Sequence, residues 1–181
     1  LRTAQKLDPR NSWNLYTEMW AATAAGDSAG VLALAQRIHG SDPKFFYLSD
    51  PLVYAYAMAG RWQECIDRSA VAQAAADNPA DFAAAICHAH AGNTARAREI
   101  LAQLEAAART RYVDSSDIAA IRAALGDNDG AFAALEQAYR DRSQPLLNLW
   151  FLPWFKPLHG DPRYQALLDK IYASLKSPVK P

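Results

Sequence analysis

Four glycines constrain this chain more than any other feature: Gly26, Gly60, Gly92 and Gly126 stand 34, 32 and 34 residues apart. A regular period of this length marks one supersecondary unit repeated along the chain. Each glycine closes an apolar, alanine-rich run, and a polar residue follows it (Asp27, Arg61, Asn93, Asp127) and opens a second helical pattern. Five residues after each glycine comes a small or β-branched residue: Val31, Cys65, Ala97 and Ala131. Prolines punctuate the other side of the period, with Pro9 and Pro43 also 34 apart and Pro79 and Pro145 in comparable places. The spacing predicts helix, tight turn, helix, proline-bearing turn, repeated. Glycine ends the first helix in the left-handed conformation without a Cβ penalty, and proline cannot continue the second. Asp50-Pro51 and Asn78-Pro79 read as helix starts, a capping side chain followed by proline at the first helical position.

One such helix pair cannot bury its apolar face alone, so the pairs must stack. About one residue in five is alanine, which lets the paired helices approach closely. The balance of 19 basic and 19 acidic residues argues against nucleic acid, whose binding surfaces carry a basic excess. The longest apolar stretch, Pro145 to Phe155, is well below the length that spans a bilayer.

The glycine and alanine offsets, with Asp-Pro or a similar pair closing each unit, resemble the tetratricopeptide repeat family over about Leu1 to Gln144. The resemblance implies an all-α fold: an α-solenoid of about four helical hairpins, closed here by an aromatic-rich C-terminal capping helix. Leu7-Asp8-Pro9-Arg10-Asn11 looks like the close of an earlier repeat, so the chain is expected to be the C-terminal part of a longer polypeptide.

Composition changes beyond Arg142, where two alanines remain but six of the ten prolines and two of the five tryptophans occur. The run Leu149-Trp150-Phe151-Leu152-Pro153-Trp154-Phe155 would expose a large apolar patch as a free tail. Asp161-Pro162-Arg163-Tyr164 reads as a capped helix start, with Leu167, Leu168 and Ile171 on one side of the helix. Residues 145–175 are therefore expected to cap the last repeat, and 176–181 to be disordered. The run from Phe155 to Tyr164 resembles a tail that closes tetratricopeptide regions in bacterial regulators, nucleotide cyclases and kinases. That resemblance implies a signalling or regulatory parent. It favours the cytoplasm, or an extracytoplasmic position if the parent crosses a membrane.

In the resemblance, first-helix residues line a concave wall that holds peptides. Counting from each glycine places Trp13, Tyr16 and Trp20 there, then Tyr47 and Tyr54, then Phe82, Ile86 and His90. Such a wall suits a protein or peptide with apolar anchors, because Trp and Tyr give contact area at low entropic cost. The alternative is that these rings pack between helices or against a preceding repeat. Repeats that dock chaperone carboxylates need a cationic clamp; here those positions are aromatic or alanine, so that use is disfavoured. Self-association of the repeats, or a sensory pocket for a small ligand, are the other two readings.

Cys87 and His90 share a helix face, but two ligands do not make a zinc site and only Cys65 is a further candidate. No metal or other cofactor is expected. Cys65 and Cys87 are expected to be buried thiols at small-residue positions, with a disulfide between them as the alternative in an oxidising compartment. Phosphate-loop, dinucleotide-turn, nucleophile-elbow and metalloprotease motifs are absent from the sequence, so no catalysis is expected. Asp114 and Asp117 sit where a helix start favours carboxylates. Arg96, Arg98, Arg109 and Arg111 alternate with Glu99 and Glu105 and read as a solvated outer face.

Overall fold

The computed structural model describes residues 8, 11–45, 50–76 and 82–176. Among them every regular element is helical: α1 (Ser12–Ala24), α2 (Ser28–Ser41), α3 (Pro51–Met58), α4 (Trp62–Ala76), α5 (Phe82–His90), α6 (Thr94–Ala107), α7 (Ser115–Ala124), α8 (Asn128–Arg140) and α9 (Pro162–Lys176). Two short 3-10 helices, Gln144–Asn148 and Pro153–Leu158, lie between α8 and α9. The expected start at Asn78-Pro79, the candidate Tyr47 and residues 177–181 fall outside the described residues. Helix α9 itself runs through Lys176.

The turn chemistry is the same four times. The glycine N–H donates to a carbonyl three residues back (Thr23, Ala57, Ala89, Ala123), and the next N–H to one five residues back (Ala22, Tyr56, His88, Arg122), all at 2.8–3.1 Å. This crossed pair satisfies carbonyls that the helix end leaves without partners and requires a left-handed residue, met by glycines at φ 67–84°. The next helix is then capped by Asp27 on Gly30 N–H and by Asp127 on Gly130 N–H. The same crossed pair ends α8, from Arg142 N–H to Tyr139 and Ser143 N–H to Ala138, but here the left-handed residue is Arg142 at φ 57°.

Consecutive helices pack as pairs, α1 on α2, α3 on α4, α5 on α6 and α7 on α8. The first helices also pack on one another, α3 on α5 and α5 on α7, and each second helix touches the next first helix. Val31, Cys65, Ala97 and Ala131, at the positions the period marks as small, are completely buried. Asp50 caps α3 through Leu52 N–H, with Pro51 at the first helical position, and Asp161 caps α9 through Arg163 N–H. Arg96 pairs with Glu99 at 2.6 Å on an exposed face of α6.

One expectation is corrected and one is extended. Cys65 of α4 and Cys87 of α5 are joined as a disulfide, both fully buried, so they are not free thiols. The C-terminal segment does more than fold onto the last helix pair. Helix α9 packs on α8, with Lys170–Glu136 at 2.6 Å and the Arg163 guanidinium over the Phe132 ring. The second 3-10 helix packs on α7 of the same pair, and the segment before it runs back as far as Trp20 in α1.

Gly126→Ala, with open space for the new methyl but φ 78°, should cost about 1–2 kcal/mol in urea unfolding. Arg142→Gly should gain roughly 0.5–1 kcal/mol by removing the same strain. Equal losses in both variants would contradict the shared turn geometry. Reducing the Cys65–Cys87 bridge, which spans 22 residues, should lower stability by about 3 kcal/mol, read as the shift in denaturant midpoint.

Candidate functional site

The first helices and the C-terminal segment meet at a partly open cavity of about 110 Å³. Tyr16 and Trp20 of α1, Tyr54 of α3 and Phe82 of α5 form one wall; Leu152, Trp154 and Phe155 close it from the C-terminal side. Asp114, Ser116, Asp117 and Ala120, from the start of α7, and Pro145 complete the lining.

The rings hold one another mostly edge to face. Trp154 stands 5.2 Å from Tyr54 at 85° and 6.4 Å from Phe82 at 86°. Phe151 meets Trp20 at 6.0 Å and 81°, and Trp20 meets Tyr54 at 5.9 Å. Edge-to-face pairs gain from the ring quadrupole, about 0.5–1.5 kcal/mol each beyond area burial. The segment 149–155 therefore lies as a strap over the wall that the sequence assigned to a ligand. Its anchor is Leu149, fully buried, whose carbonyl accepts from the Tyr164 hydroxyl at 2.7 Å.

The start of α7 carries the charge of the site. Asp114 caps the helix by accepting from Ser116 N–H at 2.9 Å. The Ser143 hydroxyl lies 2.7 and 2.8 Å from its two carboxylate oxygens, and the Tyr112 hydroxyl donates to it at 3.3 Å. Partial desolvation, then the negative charges of Asp114, Asp141 and Asp117, hold the Tyr112 phenol above its ordinary value. Burial pushes the Tyr54 phenol well above its ordinary value, partly offset by a long hydrogen bond to Thr23. Burial, with Tyr172 nearby, pushes the Tyr164 phenol up to about 12.

The residues assigned to the wall separate into three groups. Tyr16, Trp20, Tyr54 and Phe82 meet at the cavity. Ile86 is fully buried in the helix core, and His90 stacks on Trp62 at 4.5 Å by the turn ends, where desolvation lowers its pKa. Trp13 is 53% exposed, edge-on to Tyr16 and Phe45 beside the site. Phe82, Ile86 and His90 are four residues apart, and each such step drifts about 40° around a helix of 3.6 residues per turn. Of the three, only Phe82 lines the cavity. Trp154, Phe151 and Leu152 were not assigned to the wall, because nothing in their local pattern says how far back along the chain they reach.

Comparison with known proteins finds no matching family model, no matching curated protein and no matching solved structure.

Alkaline titration tests the burial of these rings. A phenol whose pKa is raised on folding leaves stability intact below its unfolded value and removes it as pH rises through the folded one. Unfolding free energy should thus be unaffected by Tyr54 and Tyr164 below pH ~10, the unfolded tyrosine value. It should fall as pH rises toward 12. Phenolate absorbance should show these two tyrosines titrating last; ionisation of every tyrosine in one step near pH ~10 in the folded chain would contradict the site.

Proposed function

We propose that this chain is a tetratricopeptide-like α-solenoid of about four hairpins acting as a non-catalytic protein-interaction module. Its partner is a protein or peptide with apolar anchors, and it serves a larger bacterial signalling or regulatory polypeptide. The observation that carries this reading is the meeting of Tyr16, Trp20, Tyr54 and Phe82, from three successive first helices, at one partly open cavity. Rigid aromatic rings around a concavity are the usual anchors of recognition surfaces. The packing of first helices on one another and of each second helix on the next pair supports the stacked arrangement. The strap sets the binding mode: a partner enters beside Trp154 or displaces the strap. The buried disulfide favours an oxidising compartment over the cytoplasm, because such bridges persist where thiols are not kept reduced. Among the described residues no helix is long and apolar enough to cross a membrane.

Self-association is the second reading, favoured by a chain of rings in contact from Trp13 through Tyr16, Trp20 and Phe151 to Trp150. Its two ends are 53% and 52% exposed.

A peptide array probed with the intact chain should select sequences with aromatic or aliphatic anchors. Trp20→Ala should weaken the selected peptides at least about tenfold, or 1.4 kcal/mol, while Trp62→Ala, in a ring stacked on His90 away from the cavity, leaves them unchanged. Equal affinity in parent and Trp20→Ala would remove the reading. A sedimentation coefficient that rises with concentration would favour self-association instead.

A further inference from the structure

Two hydrogen-bonding groups of the cavity lining are left unused by the fold. Ser116 is 3% exposed and gives its backbone N–H to Asp114, while its hydroxyl makes no hydrogen bond among the described residues. Trp154 is 7% exposed, and its indole N–H donates to no group among them. Buried polar groups are normally paired. Among the described residues, the fully enclosed side-chain polar atoms without a hydrogen bond belong to His88, Gln103 and Arg122. The Ser116 hydroxyl and the Trp154 N–H are therefore not enclosed, and the open space that both residues line is the cavity.

We infer that the cavity bounded by Trp20, Tyr54, Phe82 and Trp154 seats a proline of an extended partner segment, with the Trp154 indole N–H and the Ser116 hydroxyl donating to its backbone carbonyls. The inference rests on the reading that this face binds a peptide, and it names the residue that enters. An indole N–H can only donate and a serine hydroxyl donates as readily as it accepts, so the occupant brings acceptors. The lining holds no Lys, Arg or His to neutralise an anion, so those acceptors are neutral oxygens. Proline follows from the rest of the hydrogen-bond inventory. Trp20, Phe82 and Trp154 offer a peptide N–H no side-chain acceptor, and a donor desolvated against them would go unmatched at a cost. Proline has no N–H to lose. Proline-rich segments are also extended before they bind and keep their carbonyls free, so their ordering on binding costs little. A cavity of about 110 Å³ is far above the space one water needs and takes a five-membered ring. Outside it the rings continue from Trp20 through Phe151 to the half-exposed Trp150, where a second apolar residue of the segment rests.

Calorimetry on the intact chain compares a blocked peptide of repeated Leu-Pro-Pro triplets with the same peptide carrying alanine at every proline. The proline peptide should bind at least about tenfold more tightly than the alanine peptide. Ser116→Ala removes a hydroxyl that bonds nothing within the described residues, and Trp154→Phe keeps a ring in the strap while removing its N–H. Each should weaken the proline peptide about two- to tenfold with an unchanged far-ultraviolet spectrum. In the parent chain, the Trp154 indole N–H proton signal, assigned by its loss in Trp154→Phe, should move downfield as the proline peptide is added. Equal binding of the two peptides overturns the inference, as does proline-peptide binding that neither variant weakens and that leaves the Trp154 signal in place. Array peptides with aromatic or aliphatic anchors that bind while the proline peptide does not, even at millimolar concentration, would sink the inference alone. If neither they nor the proline peptide binds, the interaction-module reading falls with it.

Discussion

Trp154 stands edge-on to both Tyr54 and Phe82, and the cavity depends on that contact. It joins a ring near the end of the chain to rings on α3 and α5, and its neighbour Phe151 extends the junction to Trp20 on α1. The helix pairs pack on their neighbours along the chain, and a tie from the first pair to the end of the chain needs a longer-range contact. The strap supplies this tie, and the cavity is the space left beneath it.

The turns make the tie possible. Crossed hydrogen bonds at Gly26, Gly60, Gly92 and Gly126 give each pair the same reversal, which brings Tyr16, Trp20, Tyr54 and Phe82 to one side. The Cys65–Cys87 bridge fastens the second pair to the third through α4 and α5. Ser143, just past the left-handed Arg142, binds the Asp114 carboxylate and thereby joins the end of α8 to the start of α7 beside the cavity. Beyond it, Pro145 and Pro153 open the two 3-10 helices that carry the strap. Backbone geometry, capping and ring packing thus converge on one place.

Much of this was legible in the sequence, for reasons that differ by residue. The four glycine turns were readable because only glycine takes φ near 70° without strain, and the caps at Asp50 and Asp161 because proline follows each. The turn at Arg142 was hidden, since an arginine there carries no local signal for the left-handed region. The disulfide was left open because two buried thiols and a bridge ask for the same small-residue positions. Of the residues assigned to the wall, Ile86 lies in the helix core and His90 against Trp62, and neither lines the cavity, because the sequence does not say where along a first helix the cavity ends. The strap was invisible because proline-interrupted 3-10 segments have no helical period to read, and its partners lie more than a hundred residues earlier for Trp20.

Nuclear Overhauser contacts in the intact chain test the strap most directly. Cross-peaks between the Trp154 indole protons and the rings of both Tyr54 and Phe82 are the result this account predicts. A Trp154 indole that shows only sequential contacts and exchanges freely with water would contradict it.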